Sequence, residues 1–283
     1  MISFVGTMPD HGDRFNMGLP DAYERHVIQS LASSVISRYE AHALAGLEHR
    51  ILAAADAVVL VSSVEAAQLR ESLHVNLSVK VTTIPPPMPQ AIPSMPSPTI
   101  SRFVFVGSDS LLQNRRTIEV LVDIWLRLRP AVPLHLYGRQ KGAYALVPGL
   151  IVHGFVDNIA EAYGAGSVML APSFVDGGVK SKVLEAFAHG IVVVGNLTTF
   201  EGIGAPTNSL VLGTEDMEKF VRSPQLQLSQ LVYDAQVVIA AARENHSPAK
   251  LSVQWRAVVW PDRFSIEECS LPVRICTPPS AST

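Results

Sequence analysis

The 283 residues, 48% of them apolar, can fill one large domain or two smaller ones. Charged residues make up 17%, the formal net charge is -3, and no Lys/Arg run or basic aromatic patch occurs, which sets a nucleic-acid partner aside. The apolar runs, such as AVVLV and IVVVG, fall far short of the roughly 18 to 20 residues that cross a bilayer, so no transmembrane segment is expected.

The chain opens on MISFVGTMPDHGDRF, which lacks the basic-then-apolar pattern of a secretory leader. A cytoplasmic location is expected, in solution or peripherally at the inner membrane face. From Asp21 to Ala55 helix formers dominate, and Val27, Leu31, Val35, Leu47 and Ile51 make an apolar stripe. DAVVLVS (56–62) then predicts a buried strand, Ser62 with Glu65 a capping box opening a helix to about Leu73, and SVKVTTI (78–84) a second strand. Helix, strand, helix, strand is the tail of a parallel α/β layer, so residues 1–84 are expected to be the remnant of a first domain. Seven prolines in residues 85–98 remove backbone donors and favour an extended linker.

Beyond the linker, strands are expected at 102–107, 133–138, 150–154, 167–172 and 190–195, with helical segments between most of them. This is the pattern of a doubly wound parallel sheet, and Ile118, Leu121, Val122, Trp125 and Leu128 supply one apolar face of a helix that covers it. Residues 227–257 read as helical again, closing a domain over 99–260. The remainder, 261–283, turns Pro/Ser-rich and is expected to fray. Its Cys269 and Cys276 match no common zinc spacing and read as ordinary thiols.

Ligands of open parallel sheets bind beyond the carboxyl ends of the strands. One such loop is VDGGVKSKVLEAFAHG (175–190). Gly177 and Gly178 carry no side chains, so an anion can approach their backbone N–H groups beside a helix N-terminus. Lys182 adds a positive charge suited to a diphosphate. Glu185, one turn on, offers two oxygens to the hydroxyls of a ribose. Together they describe a cradle for a nucleoside diphosphate. The same residues also fit a plain helix-opening turn with a solvated Lys182–Glu185 pair worth a few tenths of a kcal/mol.

Three blocks raise the first reading: FVFVGS followed by Asn114, then HGFVDNIAEAYGAGSVMLAPS, then GGVKSKVLEAFAHGIVVVGNLTTFEGI. In order and spacing, the stretch from Arg102 to Ile203 resembles the donor-binding domain of the family 4-like glycosyltransferases of GT-B fold. The resemblance implies that Glu185 is the second glutamate of the family's E-x7-E signature and holds the ribose; the first falls at Gly177, as in a glycine-rich subgroup, whose lysine matches Lys182. It implies that the loop at Gly154, Phe155 and Val156 holds the base and that Gly107 ends the domain's first strand. Arg115, Arg116 and Arg139 do not fall on the family's basic positions and read as solvated surface charge. Ile191 stands where the family has proline.

The resemblance implies sugar transfer from a nucleoside-diphosphate sugar, the donor partner, to an acceptor left open: a sugar, a lipid-linked sugar or a small molecule. Positioned amides and Lys182 would meet the departing diphosphate. No cofactor is expected, and no metal, since the chain has no D-x-D triplet. The catalytic residue is left unknown; His11, with Asp10 and Asp13, is a candidate base by chemistry only. A complete domain of this kind runs about 150 residues, so an upstream stretch, or a partner chain, would complete the acceptor site. The alternative is a non-catalytic nucleotide-binding or regulatory relative. An NAD-type oxidoreductase is disfavoured because neither FVGSDS nor LYGRQKG supplies G-x-G-x-x-G.

Overall fold

Short runs of β-branched and aromatic residues form strands here because they are too short for helices, and those at the centre of the sheet bury on both faces. The computed structural model describes residues 42–72, 80–93, 97, 99–204, 206 and 209–261. The expectations for His11, Asp10 and Asp13, for the helix before residue 42, and for the two cysteines lie outside them.

A helix, α1, runs to residue 54, and β1 (Ala57–Leu60), α2 (Ser63–Ser72) and β2 (Lys80–Thr83) follow. β1 and β2 pair in parallel, Ala57 opposite Lys80. After the proline-rich segment come β3 (Arg102–Val106), α3 (Leu112–Leu128), β4 (Leu134–Tyr137), β5 (Leu150–Gly154), β6 (Ser167–Leu170), α4 (Ser181–Ala188), β7 (Val192–Val194), α5 (Thr214–Arg222), α6 (Leu228–Asn245) and α7 (Pro248–Val259). Strands β3 to β7 form one parallel sheet in the order β5-β4-β3-β6-β7, a doubly wound arrangement.

The crossovers differ from the expected helices at two places. β4 reaches β5 through a short 3-10 turn at Tyr144–Leu146, and β5 reaches β6 through another at Ile159–Glu161. DNIAEAYGAGS is too short and too glycine-rich for a full helix once Asn158 caps its turn. The helical stretch 227–257 is likewise two helices, broken at His246 and Ser247, where Ser247 caps α7 and Pro248 opens it.

On one face of the sheet α3 buries Ile118, Leu121 and Trp125, Trp125 meeting Phe103 edge to face. Each such side chain contributes about 1.5 to 3 kcal/mol when taken from water. α4 buries Val183, Leu184, Ala186 and Phe187, leaving Lys182 and Glu185 on its partly open side. Ile191, buried, donates its N–H to the Ala186 carbonyl and packs the start of the next strand under α4.

Candidate functional site

The strand order reverses at β3: β4 and β5 lie to one side of it, β6 and β7 to the other. At such a reversal the connecting loops diverge beyond the carboxyl ends of the strands, where ligands of doubly wound sheets bind. One wall is the loop after β3, the other the loop after β6 that leads into α4.

On the first wall, a glycine stands at each of three strand ends. Gly107 follows β3, Gly138 follows β4 and Gly154 ends β5. Gly107 donates its N–H to the Tyr137 carbonyl and Gly138 donates to Gly154, so the three strand ends are laced together. A Cβ on Gly138 would stand 2.8 Å from the Gly107 carbonyl carbon, and one on Gly107 would stand 2.8 Å from Asn114. Gly154 has a left-handed φ of 72° and open space where a Cβ would go. Phe155, just beyond, is 67% exposed, and Val156 packs partly buried against the core. The Arg139 guanidinium stands 5.7 Å from the Phe155 ring centre, so this arginine belongs to the Phe155 loop more than to open surface. Arg115, by contrast, donates to the Asp109 carbonyl. Asp109, buried, accepts the N–H groups of Lys141 and Gly142 at 2.8 and 3.0 Å and pins the loop that carries Arg139.

On the second wall, Lys182 turns inward from the first turn of α4. Its Nζ lies 4.5 Å above the Phe105 ring and donates to Asn114 Oδ1, while Asn114 Nδ2 donates to the Ser108 carbonyl. Burial, helped by the nearby Lys180 charge, lowers the Lys182 pKa to about 8. Glu185 is half-buried, and burial raises its pKa. Its carboxylate takes no hydrogen bond or ion pair from the described residues, and Lys182 and Glu185, though one turn apart, do not pair. The solvated-pair alternative therefore does not describe this helix. The N-terminus of α4 has no side-chain cap, which leaves its first N–H groups available.

The glycine turn is not open in the same way. Gly177 and Gly178 both have left-handed φ, 90° and 68°. The Gly177 N–H donates to Glu201 Oε2 at 3.0 Å, and its carbonyl accepts from Lys180 Nζ at 2.6 Å. Lys180 also stands 4.0 Å from Glu201, whose side chain is only 10% exposed. The carboxylate of Glu65, from α2, also lies against the turn, its Oε1 3.7 Å from where a Cβ on Gly178 would stand. Sequence reasoning missed Glu201 and this second use of Glu65; the capping-box pattern marked Glu65 for the Ser62 backbone, which it also reaches. The box is half-formed, since the Ser62 hydroxyl accepts from Val64. Beside the turn, a cavity of about 760 Å³ is bordered by Ser63, Asp176, Thr198, Glu201, Asn245 and Lys250, among others.

The chain is an α/β protein with a doubly wound parallel sheet, and an ammonium, a carboxylate without a donor from the described residues and a helix start without a side-chain cap stand beyond the strand ends beside the switch point. The family profile of group 1 glycosyl transferases matches residues 101–249, more than half of the chain, and the protein belongs to that family. A comparison with curated proteins finds no match. Among solved structures, the fold is similar to a point mutant of TarM from S. aureus in complex with fondaparinux, alpha-GlcNAc-glycerol and UDP (12% identity, TM-score 0.55, 71% of this chain and 43% of that one). It is also similar to Anabaena Alr3699/HepE in complex with UDP and glucose (15%, 0.55, 72% and 63%) and to the lipopolysaccharide outer core galactosyltransferase WaaB (15%, 0.52, 73% and 62%). The chain spans about half the length of these relatives.

Proposed function

We propose that this chain is the donor-binding half of a GT-B glycosyltransferase, which moves a sugar from a nucleoside-diphosphate sugar to an acceptor in polysaccharide or glycoconjugate synthesis. In this reading the base lies by Gly154, Phe155 and Arg139. Glu185 takes the ribose hydroxyls. Lys182 and the first amides of α4 meet the diphosphate. The observation that carries the reading is Glu185: a half-buried carboxylate with no donor from the described residues, one turn beyond a half-buried ammonium, at the sheet's switch point. A buried charge left unpaired costs stability, and a ligand hydroxyl pair relieves that cost.

In the transfer, an acceptor hydroxyl oxygen bonds to the anomeric carbon as the bond from that carbon to the diphosphate oxygen breaks. Charge develops on the departing diphosphate, and donors already fixed in place stabilise it without reorganising. The reading asks for no metal, because Lys182 and the amides supply that stabilisation. Residues 1–84 then belong to the acceptor-side half. UDP, GDP and NAD titrated into the full chain by calorimetry test the site. A nucleoside diphosphate is expected to bind tighter than NAD, and tighter NAD binding refutes the reading. The occupied amides of Gly177 and Gly178 favour a second reading, a nucleotide-binding regulatory relative. Donor binding with no transfer and no donor hydrolysis would select it.

A further inference from the structure

Two carboxylates of the chain itself crowd the glycine turn, one bonded to it and one lying against it. Glu201 is the fixed occupant: its side chain is nearly buried, bonded to the Gly177 N–H and faced by Lys180. Glu65 is held differently. Its Oε1 lies 3.5 Å from where a Cβ on Gly177 would stand and 3.7 Å from where one on Gly178 would stand, so its carboxylate covers the turn. It is anchored from α2, and no ion pair within 4.0 Å ties it down among the described residues. Burial, and after it the neighbouring Glu201, make its charge costly and raise its pKa, and the Gly178 backbone and Lys180 offset only part of that cost.

We propose that Glu65 is an intramolecular stand-in for the diphosphate: it covers the Gly177–Gly178 turn in the empty protein, and a bound nucleoside diphosphate displaces it. The proposal rests on the donor-site reading above. Displacement is electrostatically coupled to binding, because a diphosphate beside α4 brings negative charge toward a glutamate already facing another. It is also locally inexpensive. The Ser62 N–H, which already stabilises the Glu65 carboxylate, remains its partner at the start of α2 when the turn is released. Donor binding therefore frees the contact between α2 and the α4 loop, which couples the state of the donor site to α2.

The test is calorimetric titration of the full chain and of Glu65→Gln with UDP, GDP, uridine and guanosine, with thermal melts confirming that both are folded. Glu65→Gln is expected to bind the preferred diphosphate about tenfold tighter while leaving the nucleoside unchanged, because only the phosphate competes with the carboxylate. Glu65→Asp, which keeps the charge but withdraws it from the turn by one methylene, is expected to fall between and serves if the Gln variant does not fold. The Gly178 amide resonance is expected to move on adding UDP to the wild type, and already to be moved in Glu65→Gln. Wild-type binding with no gain in the variants, or weaker binding in them, overturns the proposal while leaving the donor site standing. Absence of binding in every protein overturns the donor site and the proposal together.

Discussion

Glu185→Gln separates a ligand-gripping carboxylate from a structural one. The carboxylate has no protein donor to lose, and its burial raises its pKa above the ordinary 4.5. The folded protein therefore holds the proton more tightly than the unfolded chain. Stability tied to this group is full below about pH 4.5 and is lost as pH rises through the raised folded value, so at neutral pH the charge works against folding. Removing it leaves the empty protein as stable or slightly more so. Binding responds in the opposite direction. Charge-assisted hydrogen bonds to a ribose diol are worth roughly 1.5 to 3 kcal/mol, so affinity for the preferred nucleoside diphosphate drops by about one to two decades. Calorimetry with the ribonucleotide and its 2′-deoxy counterpart isolates the contact: the wild type discriminates strongly between them, and Glu185→Gln discriminates little. Equal discrimination by both proteins would refute the assigned role, and severe unfolding of the variant would mark Glu185 as a structural acceptor.

Lys182→Met keeps the volume and removes the charge. The folded pKa of about 8 lies below the ordinary 10.5, so the ammonium costs stability in full below about pH 8, and stability recovers as pH rises from there to about 10.5. The variant should melt higher than wild type at pH 7, lose that pH slope, and bind nucleoside diphosphates much more weakly while binding the nucleoside equally; the same loss for both ligands would remove Lys182 from the phosphate. Wild-type diphosphate affinity should fall as pH passes about 8. Gly107→Ala places a Cβ 2.8 Å from the Asn114 amide group that receives Lys182, so diphosphate affinity should fall several-fold with a modest drop in melting temperature, and unchanged affinity would show that Lys182 needs no help from Asn114.

The layer architecture was legible because each strand is a short β-branched run and α3 carries its stripe of Ile118, Leu121 and Trp125 at helical spacing. The start of α4 was legible for a related reason, since glycines followed by an apolar run at helical spacing mark a turn opening a helix. Contacts made across crossovers were not. Nothing near Glu201 in sequence tells that its carboxylate reaches Gly177, and nothing near Glu65 tells that α2 faces that turn. Lys182 was expected to offer its charge to a diphosphate, or to pair with Glu185 in solvent, and nothing nearby in sequence told that the Phe105 ring and Asn114, arriving from β3 and α3, draw it inward. The 3-10 turns before β5 and β6 escaped notice because a capped turn and a short helix share residue types.

The laced glycines at the ends of β3, β4 and β5 divide this rim of the sheet into positions that an engineer can vary and positions that must be left alone. At Gly138 an added carbon would meet the Gly107 backbone, which cannot rotate away, and at Gly107 it would meet the amide that steers Lys182. Gly154 faces open space, and its φ of 72° is one that Asn and Asp tolerate better than other side chains. A combinatorial library meant to retune which base is accepted would therefore randomise Phe155 and Val156, admit Asn or Asp at 154, and hold 107 and 138 constant. The same partition lets one rim hold both positions free to drift and positions fixed by backbone contact.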